Sequence, residues 1–221
     1  MEIALLLYDG MASLDAVGPY EVLRNVPGWE VRTVAPKAGE VRDERGTLGL
    51  VADHALGDMT APDVVLVPGG GGNRPLLADE RLLGWLREVD RATKWTTSVC
   101  TGSLLLGAAG LLKGKRATTN WLELDALRAF GAEAVGGRFV EDGKTITAAG
   151  VTAGIDMALH LVAREVGPEV AQAIQLGIEY DPDPPFDSGS PEKAPAEIVE
   201  LVRAVTSGGS AAPGRARPAS A

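Results

Sequence analysis

The chain has 221 residues, 45% of them hydrophobic but only 5% aromatic, and carries a formal net charge of −9. That length fits one domain with an aliphatic core plus a short appendage, and the negative balance argues against nucleic acid and anionic membranes as partners, since both need a basic face. A single cysteine closes no intramolecular disulfide, which suits a reducing compartment; with no basic apolar leader in MEIALLLYDG and no run near the ~20 apolar residues of a membrane span, a cytoplasmic chain is expected.

Residues 3–8 are a continuous apolar run of strand length, as in a strand buried on both faces. Residues 9–13 read as a loop, and 14–24 as the first helix, with Leu14, Val17, Tyr20, Val22 and Leu23 on an approximate apolar face. Proline is best tolerated in a first turn. Pro19 therefore moves the expected start towards Val17 and leaves Asp15 in the preceding loop. Residues 29–35 alternate as a second strand. Within 36–58 only 48–52, after the Arg45-Gly46 turn, reads as a strand; the rest reads as a surface excursion. Residues 63–67 (DVVLV) are another buried-type strand. They run into Pro68-Gly69-Gly70-Gly71-Gly72 and then a helical stretch over 73–91.

Residues 94–99 form a strand that ends at Cys100, and the apolar run 104–112 forms a helix after it. A helix is expected at 122–130. Segments 134–140 and 145–148 bracket Glu141-Asp142-Gly143-Lys144, a hairpin signal. Helices at 152–166 and 168–178, an acidic Pro-rich loop at 180–191 and a last helix at 194–205 follow. From Ser207 the sequence SGGSAAPGRARPASA is of low complexity and is expected to be disordered. The expected organisation is one domain over 1–206 and a tail over 207–221.

Strands alternating with helices imply a mostly parallel sheet with helices on both faces. Ligands bind such sheets outside the carboxyl ends of the strands. The loops at 9–15, 68–72 and 100–102 all leave strand ends, so they converge on one pocket if their strands are neighbours.

A lone free cysteine is usually a small buried hydrophobe. Here Cys100 falls on a sharp turn from strand to helix, the setting of a nucleophile elbow. Gly102 lets the backbone pass tightly, and the helix N-terminus below the sulfur is expected to favour thiolate. The amides of Gly70 and Thr101 are candidates for an anion-stabilising hole. The glycine loop lacks GxxxxGK[ST] and GxGxxG, so a nucleotide site is the weaker reading. The two histidines, His54 and His160, leave no strand end, which disfavours a Cys-His pair and a zinc cluster. The acid–base candidates are Asp9 and Asp15. Asp15 sits among Leu14, Ala16 and Val17, where burial raises a carboxyl pKa; its plain structural alternative is a helix N-cap.

The segments LDAVGPYEVL, TSVCTGSLLLGAAGLLKGKRATTNW, VTAGIDMALHLV and IEYDPDPPFDSGSPEKAP resemble the ThiJ/PfpI superfamily, and within it the isocyanide (isonitrile) hydratase group. The resemblance spans residues 3–203. It implies a flavodoxin-like sandwich, a homodimer and no metal or organic cofactor. It also implies that Cys100 attacks an isocyanide carbon, that Asp15 moves protons and orients water, and that a thioimidate is hydrolysed to a formamide. Thr101 would assist with its hydroxyl and amide, Gly70 with its amide, and Val151 would line the pocket. Many relatives read ATTHW where this chain reads ATTNW, so Asn120 stands in place of a histidine. Glyoxalase- or deglycase-like members carry a glutamate in the first helix, where this chain has Asp15. A cysteine redox sensor remains an alternative. The regulator subfamily continues into a helix-turn-helix module, and the Gly/Ala/Pro-rich sequence after the last helix does not resemble one.

Overall fold

A computed structural model describes residues 1–208; residues 209–221, most of the expected tail, lie outside the described residues. The chain forms two compact units, Met1–Tyr180 and a second that begins at Asp181.

In the first unit, β1 (Glu2–Leu6) leads into α1 (Ser13–Leu23), which has Pro19 inside it. The helix therefore starts earlier than proline placement suggests. Gly18 and Pro19 pack tightly on a later helix, since a Cβ on Gly154 would meet Pro19 Cγ at 2.9 Å. Tertiary packing thus offsets the hydrogen bond that a helical proline forgoes.

Next come β2 (Glu30–Ala35), β3 (Gly39–Arg42), β4 (Gly49–Ala52) and β5 (His54–Ala55). β3 and β4 form an antiparallel hairpin outside the main sheet. The surface excursion is thus an ordered element. After β6 (Val64–Val67), the single helix expected over 73–91 is two, α2 (Asn73–Leu76) and α3 (Glu80–Ala92). Asp79 makes the break. Its carboxylate accepts from the amides of Arg81 (2.9 Å) and Leu82 (3.3 Å), a helix N-cap.

β7 (Trp95–Val99) is followed by α4 (Gly102–Ala108), then β8 (Arg116–Ala117), α5 (Leu124–Ala129) and β9 (Glu133–Ala134). α4 ends before the apolar run does, because Gly110 turns the chain at φ 81°, the left-handed conformation that commonly closes helices. β10 (Phe139–Asp142) and β11 (Thr145–Ala148) make the expected hairpin, but Glu141 and Asp142 pair within the first strand, which starts at Phe139 rather than Ala134. α6 (Ala153–Val166) and α7 (Pro168–Gly177) complete the unit. The second unit carries α8 (Ala196–Gly208), which runs past the expected end at Val205 and takes in the first two residues of the expected tail. Among the described residues no helix is long and apolar enough to cross a membrane.

The seven-stranded sheet runs β10-β11-β7-β6-β1-β2-β5, parallel except for edge strand β10. α1, α6 and α7 pack together, and α4 packs with α3 and α5. Val64–Val67 and Trp95–Val99 are buried throughout, as expected of strands covered on both faces. From β1 the chain winds first towards β2, then returns to place β6 on the other side of β1. The crevice between β1 and β6 is therefore a topological switch point, where open α/β sheets bind ligands. The loops after β1 and β6 flank it, and β7 places Cys100 beside them.

Candidate active site

Cys100 closes β7 with φ 55°, left-handed backbone that costs a non-glycine residue about 1–2 kcal/mol. Its backbone is held on every side. The Cys100 amide donates to Ala148 O at the end of β11 (3.0 Å), and the Thr119 and Ser103 hydroxyls donate to Cys100 O at 3.0 and 3.2 Å. Close approach of the next loop requires glycine after it. A Cβ on Gly102 would stand 2.1 Å from the Val67 carbonyl oxygen, and one on Gly70 (φ 121°) would stand 2.3 Å from the Ala12 nitrogen. Ala12 N donates to Gly69 O and Gly72 N to Gly10 O, both at 2.9 Å. The three loops therefore converge as expected.

Asp15 is fully buried in the first turn of α1. It does not cap the helix. The cap position is Ala12, and Asp15 Oδ2 instead accepts from the Gly69 amide across the switch-point crevice at 2.8 Å. Oδ1 makes no regular hydrogen bond, and the Cys100 thiol lies beside the carboxyl as a weak donor. Burial lifts the Asp15 pKa from 3.8 to about 7; the Gly69 and Cys100 hydrogen bonds oppose the rise and the charge of Glu44 adds to it. Asp9, the other carboxylate candidate, accepts from the Arg42 amide at 2.8 Å and ties down the β3–β4 hairpin.

The Cys100 thiol is pushed up to about 12, first by burial and then by the Asp15 charge. The Thr101 amide and the Asn120 side chain donate towards the sulfur and pull the other way. The expected thiolate is therefore not the resting form, because two donors and a short helix do not outweigh desolvation beside a carboxylate. Asn120 Oδ1 accepts from Leu122 N at 3.1 Å, which leaves its NH₂ as the donor to sulfur. The glycine amides are all engaged. Gly69 donates to Asp15, Gly70 to Thr101 Oγ1 (2.9 Å) and Gly71 to Glu44 Oε1 (2.6 Å). The Gly70 amide, expected to face a substrate anion, thus orients the Thr101 hydroxyl. Asn73 Nδ2 holds the Thr101 carbonyl at 2.9 Å. Val151 is half-buried in the turn before α6.

Three further side chains, those of Tyr8, Asn120 and Glu44, border the site. Tyr8 is buried at the carboxyl end of the first apolar run and donates to Pro68 O at 2.8 Å; burial and the charges of Asp15, Cys100 and Glu44 raise its pKa. Its place at a strand end was a usable signal. Asn120 shows in the sequence only as the absence of a histidine, and Glu44 leaves no local signal. His160 pairs with Glu141 at 2.6 Å and stacks on Phe139 beside the β10 edge, while His54 lies in β5 at the opposite edge. A separate groove of about 1100 Å³ lies among α1, α6 and α7, lined by Leu14, Val17, Ile155 and Ile174.

A strained cysteine after β7, a buried carboxyl from the first helix and a glycine loop between them define a cysteine-centred site in an α/β sandwich. The chain belongs to the DJ-1/PfpI family, whose profile matches residues 1–164. It is 46% identical to the isonitrile hydratase of Pseudomonas putida, covering 92% of this chain and 89% of that one. It is 34% identical to the HTH-type transcriptional regulator CdhR of Pseudomonas aeruginosa, covering 75% of this chain but 51% of the regulator. The crystal structure of a ThiJ/PfpI family protein from Pseudomonas syringae superposes with a TM-score of 0.89 at 40% identity, over 93% of this chain and 86% of that one.

Proposed function

We propose that the protein is an isocyanide hydratase, a hydro-lyase that converts R–N≡C and water to the formamide R–NH–CHO. The observation that carries this reading is the pairing of Cys100 with a buried carboxyl held near neutrality, at about 7, with both histidines at sheet edges. The identity to an isonitrile hydratase across most of both chains supports it.

An isocyanide carbon must gain a nucleophile and a proton together, and a carboxyl with a pKa near the working pH both takes and gives that proton. Asp15 receives the thiol proton as the sulfur attacks and delivers it to the same carbon. The S–H bond breaks, S–C and C–H bonds form, and the product is the thioimidate Cys–S–CH=N–R. The Thr101 amide and Asn120 stabilise the sulfur while it carries charge. The Thr101 oxygen already accepts from Gly70, so its own proton is directed to the imine nitrogen. Water then adds to the carbon, one of its protons reaching nitrogen. The tetrahedral adduct collapses, the C–S bond breaks with its electron pair on sulfur, and Asp15 passes the remaining water proton to that sulfur. In this reading Cys100 is presented as a nucleophile elbow, and the chain works as a homodimer, which sedimentation equilibrium tests.

Incubation with a simple alkyl isocyanide should release the N-alkyl formamide, followed by NMR. Cys100→Ala should abolish it and Asp15→Asn should reduce it strongly. Turnover of methylglyoxal with no formamide would reject the hydratase in favour of the dicarbonyl reading, and unchanged activity in Cys100→Ala would sink the mechanism.

A further inference from the structure

The three successive glycine amides sort their acceptors by origin. Those of Gly69 and Gly70 meet Asp15 and Thr101, both beside the sulfur, but that of Gly71 meets Glu44 Oε1 at 2.6 Å. Glu44 comes from the tip of the β3–β4 hairpin and is exposed, unlike Asp15. The main chain of the hairpin is tied to the loop after β1. Gly10 N donates to Arg42 O at 2.7 Å, Arg42 N to Asp9 Oδ1 at 2.8 Å, and Glu44 N to Met11 O at 3.1 Å. Asp43 tightens the tip by accepting from the amides of Thr47 and Leu48 at 2.9 and 3.1 Å. Glu44 is therefore a located charge. Its influence reaches Cys100, Asp15 and Tyr8. The two charged side chains acting most strongly on the sulfur are both carboxylates, Asp15 and Glu44.

We infer that Glu44 is a specificity residue: its carboxylate, clamped to Gly71 at the exposed rim of the Cys100 site, selects for uncharged electrophiles and turns away anionic ones. The substrate class is then neutral isocyanides, with carboxylate-bearing ones excluded; this assignment rests on the hydratase reading, whereas the charge filter at Cys100 does not. A carboxylate approaching the sulfur meets Glu44 while both are partly hydrated, so the repulsion is real but screened by salt. A role confined to holding Gly71 gives no such dependence, because glutamine in place of Glu44 still offers a carbonyl oxygen to that amide.

The single cysteine permits a test that needs no turnover. Iodoacetamide and iodoacetate alkylate the same sulfur by the same displacement. The S–C bond forms, the C–I bond breaks, iodide leaves with the electron pair and the thiol proton passes to solvent. The two reagents are close in size and differ chiefly in charge, and comparing their rate ratio between wild type and variant cancels both their intrinsic difference and any common change in the thiol. Glu44→Gln should shift that ratio towards iodoacetate on the order of tenfold at low ionic strength, and the wild-type preference for iodoacetamide should shrink as salt is added. Glu40→Gln, which changes the net charge equally on the same hairpin, should leave the ratio unchanged. In a second arm, wild-type protein should hydrate methyl isocyanoacetate in preference to isocyanoacetate, and Glu44→Gln should narrow that gap. An alkylation ratio that is the same in wild type and Glu44→Gln, or that moves equally in Glu40→Gln, overturns the charge filter. A shifted alkylation ratio with no formamide from either isocyanide upholds the filter and rejects the hydratase.

Discussion

Asparagine in place of Asp15 should strengthen the fold at alkaline pH while it removes the chemistry. The side chain is fully buried, and its pKa rises from 3.8 to about 7, chiefly through desolvation. Each tenfold change in proton affinity is about 1.4 kcal/mol, so this rise corresponds to about 4 kcal/mol. Below pH 3.8 folded and unfolded chains both hold the proton. Between 3.8 and about 7 only the folded chain holds it, so stability falls as pH rises. Above about 7 the whole cost of a buried charge is present. Asparagine has no charged form, and its oxygen can still accept from Gly69. The difference in unfolding free energy between Asp15→Asn and wild type, measured in urea, should therefore grow with pH in favour of the variant. Roughly 3 of the ~4 kcal/mol should appear between pH 5 and 8.5. Taking the difference between the two proteins removes the titration of every group they share. The amide NH₂ that replaces Oδ1 shifts the offset but not the slope. A difference that is flat across this range, or that falls, would refute the placement of Asp15 in a desolvated site. Formamide production by the same variant should be low at every pH.

Thr101→Val removes the acceptor of the Gly70 amide and the hydroxyl that the proposed mechanism uses; it should cost about 1–2 kcal/mol in denaturant unfolding and lower kcat more than it raises KM. Asn120→Ala removes a donor to the sulfur, so iodoacetamide should alkylate Cys100 at pH 8 about tenfold more slowly, the equivalent of one hydrogen bond to a charged group. Gly102→Ala would set a Cβ 2.1 Å from the Val67 carbonyl oxygen; parting two backbone loops should lower the unfolding free energy by about 3 kcal/mol, with activity falling as Cys100 moves.

Local pattern was enough for the central strands, since a parallel strand covered on both faces must be apolar throughout. Alternation with helices then carried the class of fold and put Cys100, Asp15 and Gly70 in segments that leave the carboxyl ends of the strands. The extent of α1 was not legible, because Pro19 lies inside the helix and packs against α6, a contact that local sequence does not reveal. Nor was the break before α3, where one carboxylate captures two amides. Of the hairpin at 39–52 only the second strand, expected at 48–52, was legible; the first is short and the pair lies outside the core sheet. With it, Glu44 was hidden, since its relation to Gly71 spans 27 positions of sequence and exists only after folding.

The sequence by itself determined which chemistry is available: one thiol, two histidines outside the three loops that leave strand ends, and a carboxyl flanked by apolar residues. Tertiary structure alone decided the state of those groups. Helix dipoles and glycine loops are local and suggest a thiolate, but proton affinity depends on desolvation and on charges brought in from distant segments. In the folded chain those terms hold Cys100 protonated and bring Asp15 to about 7.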